Sequence, residues 1–393
     1  MSAPTASTTT STRAPRLRWP DVAKGLSIIG VVLLHVSLAV PEGMETTAAH
    51  INRILDPLRM PLFFMVSGFF SGKVFGFTFR DLFFRRLWFF LVPYLVWVPI
   101  ELWFKFREWH LFDGKEMPGV GLYLRHIIEG RNMYWFLYAL VIFNIVLWAT
   151  RKLPWWAGMA VSFAPILILP LHADQHMVGK AVLYLPAFLL GAHLHRHIRD
   201  FADTATSLRH LTRGTILYAV GISLAAVWAW WNTVADVSLA WPLPFAETVG
   251  FAELRLVVNS LEQLLMLPMA VIVAVLLGRV PVVSDVLSFL GRHTLVIYLG
   301  HPIALTVLYH YNMRGWDLPI TRGAENVLHE TALWIIVGLV ISAVGSVALW
   351  LITRIPYLRW SIMPPLLTAA YRRPASIRGE TIAATTTASV TTR

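Results

Sequence analysis

Hydrophobic positions along this chain come in long, nearly unbroken runs, not in the alternation of half-buried strands or the three-to-four spacing of surface helices. A helix of about 20 apolar residues crosses a ~30 Å hydrocarbon layer. Such runs recur about ten times, centred near Gly30, Met65, Leu95, Val141, Pro165, Pro186, Ala225, Met269, Ile297 and Gly338. The pattern predicts an all-α, polytopic membrane protein with about ten transmembrane helices. The fifth and sixth runs are short; each is interrupted by proline, and His172, Asp174 and His176 lie between them. Pro93, Pro165, Pro186 and Pro268 predict kinks, which membrane helices tolerate where neighbours satisfy the freed backbone groups. No internal repeat and no soluble domain interrupts the series.

Composition agrees with the pattern. The 393 residues are 56% hydrophobic and only 14% charged, which excludes an ordinary soluble domain. The 17 tryptophans suit the membrane–water interface. Cysteine is absent, so disulfides, thiolate catalysis and Cys-ligated metal are all excluded. The net charge of +11 invites a nucleic-acid reading, but its distribution argues for topology. With the N-terminus in the cytoplasm, the segments 1–25, 72–86, 151–152, 195–213, 279–292 and 354–393 face that side. They hold roughly two-thirds of the 33 Lys and Arg and only about a quarter of the 22 acids, as the positive-inside rule requires. Both termini are therefore expected in the cytoplasm. The surroundings are lipids of the cytoplasmic membrane, and no nucleic acid is expected. Residues 1–18, rich in Ser, Thr, Ala and Pro, read as a disordered tail, residues 19–360 as the transmembrane domain, and 361–393 as a cytoplasmic tail disordered from about 374. No cleavable leader is read before the first span, which serves as its own insertion signal.

The first span, residues 19–40, carries the most chemistry. It opens with Asp21 and Lys24 and holds His35 deep in an apolar run. An ionisable group inside a spanning helix is costly and is a functional hypothesis by default. Eleven residues separate Lys24 from His35, which is nearly a whole number of turns and a rise of roughly 16 Å. Acid, cation and imidazole thus share one helix face. His35 is either a packing histidine or a general base that takes a proton from an attacking hydroxyl; a covalent acyl-histidine is the variant. Asp21 and Lys24 form a surface pair or meet a charged cofactor.

Other positions add partners. Ser67-Gly68 is a small step that lets another backbone come close. Ser67 lacks the G-x-S-x-G elbow of a serine nucleophile. Arg85 and Arg86 sit at the basic edge of the third span, where guanidinium groups can hold phosphates. Arg292 opens the ninth span, and His301, a second intramembrane histidine, follows about two and a half turns later. Trp135 opens the fourth span, and Asn259 and Glu262 are a polar pair in the eighth. His193, His195 and His197 alternate in a basic loop without a metal-ligand spacing, and no metal site is expected. Phosphate-loop and dinucleotide fingerprints are absent.

Taken in order, these motifs resemble the acyltransferase-3 family of integral membrane acyltransferases. The likeness rests on D-x-x-K-G with a histidine eleven residues after the lysine, Met60-Pro61-Leu62-Phe63-Phe64 with Ser67-Gly68, Arg85-Arg86 with Pro93-Tyr94, Trp135-Phe136-Leu137, Phe188-Leu189-Leu190-Gly191, and Leu290-Gly291-Arg292 running to Tyr298-Leu299 and His301-Pro302. It covers nearly all of residues 16–360. The resemblance implies a ten-helix enzyme that moves an acetyl or other short acyl group from cytoplasmic acyl-CoA to a hydroxyl of a sugar or glycolipid acceptor of the cell envelope. A trehalose–mycolate type glycolipid is one such acceptor. The family's commoner Arg-x10-His pair falls on Lys24 and His35, so this chain carries Lys instead. Lysine keeps the charge but lacks the bidentate fork. The resemblance makes His35 the base, places coenzyme A on Lys24, Arg85, Arg86 and Arg292, and leaves Asp21, Ser67, Trp135, Asn259, Glu262 and His301 around the substrates. The rival class is a glycolipid or glycan transporter or flippase without acyl transfer.

Overall fold

The computed structural model describes residues 17–56, 59–243, 246–365 and 367. Most of the expected N-terminal tail and all of the segment from 374 lie outside the described residues. The architecture is all-helical, apart from a two-stranded antiparallel ribbon, β1 (Ser238–Ala240) and β2 (Thr248–Gly250).

The apolar runs form helices α1 (Trp19–Ala39), α2 (Met60–Phe69), α3 (Phe79–Asp113), α4 (Trp135–Ala149), α5 (Trp155–His172), α6 (His176–His193), α7 (Leu208–Val234), α8 (Phe251–Leu277), α9 (Pro281–Arg292), α10 (Thr294–Trp316) and α11 (Thr331–Ile352). Each expected centre falls inside one of them. Among the described residues, six helices are long and apolar enough to cross a membrane, and up to eight if each bent pair counts as one span. The chain is thus a multi-pass membrane protein. α2 and α4, at 10 and 15 residues, are apolar but short, about 15 and 23 Å at 1.5 Å per residue. The sharpest breaks lie away from these prolines. Pro93, Pro186 and Pro268 stay within continuous helix. The breaks lie between α6 and the helix His195–Asp203, at 79°, and between α9 and α10, at 75°. Pro165 begins the irregular half of α5, where Ile168 leaves helical geometry.

α1 is the central post. It packs against α2, α8, α9, α10 and α11. Two pairs of glycines set the tightest crossings. A Cβ on Gly25 would overlap the Leu287 carbonyl, and one on Gly291 would overlap that of Asp21, so α1 and α9 touch backbone to backbone. Gly68 and Gly191 do the same for α2 and α6, against Phe188 and Met65. The small step at Ser67-Gly68 is therefore a close-approach site, as expected. The basic segments gather at one end of the bundle: Asp21 meets Gly291, Trp148 donates to the Phe77 carbonyl at 2.9 Å, and His195 lies beside Gly72. The other end holds Glu42 against Thr321 and Arg322, and Glu108 against His310 and Arg314.

The packed body runs past the expected boundary at 360. Ile362 is 1% exposed, and Trp97 donates to the Ser361 carbonyl at 3.2 Å.

Candidate active site

Lys24, Ile28, Val31 and His35 form a single stripe on α1, spaced by four, three and four residues. The first three line a cavity of about 950 Å³, which ends one turn short of His35. Its other walls come from α2, α3, α4, α10 and the residues after α11. The charged groups lining it are all cations: Lys24, Arg86, Arg354 and Arg359. Farther in, Phe136, Leu137 and Leu140 give it an apolar throat.

At the end of that stripe the two intramembrane histidines meet. His35 Nδ1 lies 2.8 Å from His301 Nε2, and His301 Nδ1 lies 2.8 Å from the Ile297 carbonyl. A carbonyl only accepts, so His301 Nδ1 carries the hydrogen. In a neutral imidazole its Nε2 is then the acceptor, and His35 Nδ1–H is the donor. His35 Nε2 is left with a free lone pair, which is what a general base requires. The packing holds this geometry. His301 is 0% exposed, while His35 is half-buried. Tyr298, one turn before His301, lines the cavity and donates from its hydroxyl to the Met133 carbonyl at 2.8 Å. Tyr134 donates to the Leu299 carbonyl at 2.5 Å, so the turn before α4 clamps α10. A π turn, Leu305–His310, follows His301-Pro302 within α10.

Two further cations, Arg59 and Lys180, lie electrostatically close to His35. The Arg59 stem passes over Gly30, and its guanidinium pairs with Asp56. Lys180 on α6 sits 4.4 Å from the centre of the Trp135 ring, and Trp135 stacks on Tyr184 at 5.7 Å. Among the described residues no carboxylate pairs with Lys180.

The residues expected from the sequence divide into three groups. Lys24, Ser67 and Arg86 line the cavity, and His35 and His301 are bonded to each other. Lys24 also pairs with the buried Asp21 at 3.2 Å. Arg86 is heavily engaged: its donors meet the Ser67 carbonyl, the Ser71 hydroxyl at 2.6 Å and the Asn144 amide oxygen at 3.2 Å. It braces α3 against α2 and α4 as well as lining the cavity. Arg85 and Arg292 are not brought to the cavity. Arg85 faces Asp81 at 3.1 Å, and Arg292 is exposed at the end of α9. Adjacent residues on a helix point roughly 100° apart, so Arg85 faces a different side of α3 from Arg86. Trp135 stands beside Lys180, not in the cavity. Glu262 pairs with Arg255 at 3.4 Å on its own helix, and Asn259 is half-buried a turn earlier; neither bonds the histidine pair among the described residues. Arg354, Arg359, Tyr134, Tyr298 and Lys180 carry roles that sequence reasoning did not assign. Tyr298 lay inside a quoted motif; the two arginines looked like topology anchors.

The family model described as an acyltransferase domain covers residues 17–351. No curated protein and no solved structure shows significant similarity to the chain.

Proposed function

The chain belongs to the acyltransferase-3 family, and from that premise we propose that it is a membrane O-acyltransferase of the cell membrane. It moves an acetyl or other short acyl group from cytoplasmic acyl-CoA to a hydroxyl of a cell-envelope sugar or glycolipid. One observation carries the reading: a cation-rimmed cavity leads along a single stripe of α1 to a histidine with a free ring nitrogen.

The donor enters at the end bearing Lys24, which the charge distribution assigns to the cytoplasm. Lys24 meets its phosphates, and Arg86 adds positive potential from the wall. The pantetheine arm follows the apolar throat over the roughly 16 Å rise from Lys24 towards His35. The acceptor arrives from the opposite side. Trp135, stacked on Tyr184, offers a flat face for a sugar ring, and Lys180 and Arg59 offer positive charge beside it. His35 Nε2 removes the proton of the acceptor hydroxyl. The oxygen attacks the thioester carbonyl, the new C–O bond forms, the C–S bond breaks, and the proton passes to the departing thiolate. His301 positions His35 through the 2.8 Å bond and fixes its tautomer. A trehalose–mycolate type glycolipid is one acceptor to include in a panel.

The test is protein in vesicles with labelled acetyl-CoA and candidate glycolipids. Label moves to the acceptor hydroxyl with wild type and not with His35→Ala. Equal transfer by His35→Ala overturns the mechanism. Movement of acceptor across the bilayer without acylation makes the protein a transporter.

A further inference from the structure

We propose that residues 353–365, beyond the last long helix, clasp the 3′-phospho-ADP end of the acyl donor, with Arg354 and Arg359 on its phosphates and Trp360 against its adenine. The proposal rests on the acyl-CoA reading and says which part of the chain recognises the nucleotide.

The matched acyltransferase domain ends at residue 351. The chain then turns back over the cavity instead of leaving the bundle. Ile362 is 1% exposed and Ser361 is tied to Trp97 on α3. Arg354, Arg359, Trp360 and Met363 thereby line the same cavity as Lys24 and Arg86.

The charges already on the inner wall are shared, Lys24 with Asp21 and Arg86 with three oxygen acceptors of α2, its following turn and α4, so further cations at the mouth complete the phosphate site. Among the described residues, Arg354 and Arg359 pair with no carboxylate; Arg354 lies 4.2 Å over the Trp350 ring. Both are exposed, at the mouth. Trp360 beside them is 58% exposed, although it borders an apolar pocket. The cavity therefore grades from guanidinium and indole at the mouth to aliphatic and aromatic side chains in the throat. A ligand with a phosphorylated purine at one end and a neutral arm at the other matches that gradient. Guanidinium forks bind phosphate bidentately, and an exposed indole stacks on a purine.

The experiment uses the full chain in nonionic micelles and calorimetric binding of CoA and of dephospho-CoA, which lacks the 3′-phosphate. Wild type should bind CoA about tenfold tighter than dephospho-CoA, a difference of about 1.4 kcal/mol. In the Arg354→Ala/Arg359→Ala double variant CoA affinity should fall at least tenfold and that preference should vanish. Trp360→Ala should weaken both nucleotides equally. Arg279→Ala, a basic residue at the same end that does not line the cavity, should change neither. An unchanged melting temperature and recovery of affinity by Arg354→Lys/Arg359→Lys exclude misfolding as the cause. If the double variant keeps wild-type affinity and preference, the clasp is wrong while the donor reading stands. If wild type binds no CoA, the donor reading itself falls, and the clasp with it. If the double variant loses only phosphatidylglycerol binding, the two arginines hold a lipid headgroup and the clasp is overturned.

Discussion

At the scale of single residues, the proposed chemistry turns on the arrangement of two histidines. His35 was legible in the sequence because an imidazole stands out in an apolar run. His301 was visible for the same reason, but the bond between them was not, since it joins positions 266 apart. Replacing His35 with Ala should lower kcat/KM by about 10²–10⁴-fold with the protein still folded, as loss of a general base does. His301→Ala should lower kcat on the order of 10²-fold while the donor KM stays unchanged, because His301 does not line the cavity. His301→Gln should recover part of that loss. Its amide oxygen can accept from His35 Nδ1–H while its NH₂ donates to the Ile297 carbonyl. Steady-state kinetics on the three variants check this, and equal activity for Ala and Gln would count against positioning. Lys24 poses a sharper question, because its charge is shared with Asp21. Lys24→Ala should raise the donor KM about tenfold, as loss of a charged phosphate contact does, and Lys24→Arg should hold it. If both behave as wild type, Lys24 is only an anchor. Arg85 and Arg86 could not be told apart in the sequence, because both stand at the basic edge of the span and only the packing shows which of them faces the cavity.

At the scale of helices, the glycines decide which elements can touch. The apolar runs gave the position of each helix but not its length, and α2 is the clearest case. Its centre near Met65 was readable, yet it ends after 10 residues. Its side chains Leu62, Phe64, Met65 and Val66 are all at most 1% exposed, so the middle of the helix is covered by protein instead of lipid. That cover depends on α6, which reaches α2 through Gly68 and Gly191. Gly68→Val places branched carbon where the Phe188 carbonyl sits, and Gly191→Leu does the same at the Met65 carbonyl. Each should destabilise the protein by at least the roughly 1–3 kcal/mol typical of overpacking, seen as a lower melting temperature in micelles. Gly76→Ala, with nothing within 4 Å of its Cβ, should be silent. If Gly68→Val melts like wild type, the helices are not held by this crossing. The bends teach a related lesson. Pro186 predicted a kink that its helix does not break to make, while the real break after His193 occurs where the apolar run ends and the basic helix His195–Asp203 turns away.

At the scale of the whole molecule, the asymmetry of charge between the two ends bears on which way the bundle stands. The basic segments and the cationic cavity lie at one end, and the acidic loops around Glu42 and Glu108 lie at the other. On the Lys and Arg counts the first end is the one expected in the cytoplasm. That assignment is what gives the proposed reaction its direction, since coenzyme A is a cytoplasmic compound and the proposed acceptor lies on the other side. The sequence itself supplies a clean test, because it contains no cysteine and every introduced thiol reports alone. Arg279→Cys should react with a membrane-impermeant maleimide only after the membrane is opened, and Glu325→Cys should react in intact cells. The informative pair brackets α2: Glu45→Cys before it and Gly76→Cys after it. Ten residues span about half of a ~30 Å hydrocarbon layer. The segment therefore crosses only if its flanking turns are buried in protein at membrane depth, as its packing against α6 allows. On that arrangement Glu45→Cys labels from outside and Gly76→Cys only from the cytoplasm. Labelling of both from outside would make α2 re-entrant. It would also carry the π turn with Arg86 to the outer face, away from any coenzyme, so the same reactivity pattern that fixes the topology also decides whether the cationic cavity can serve a cytoplasmic donor.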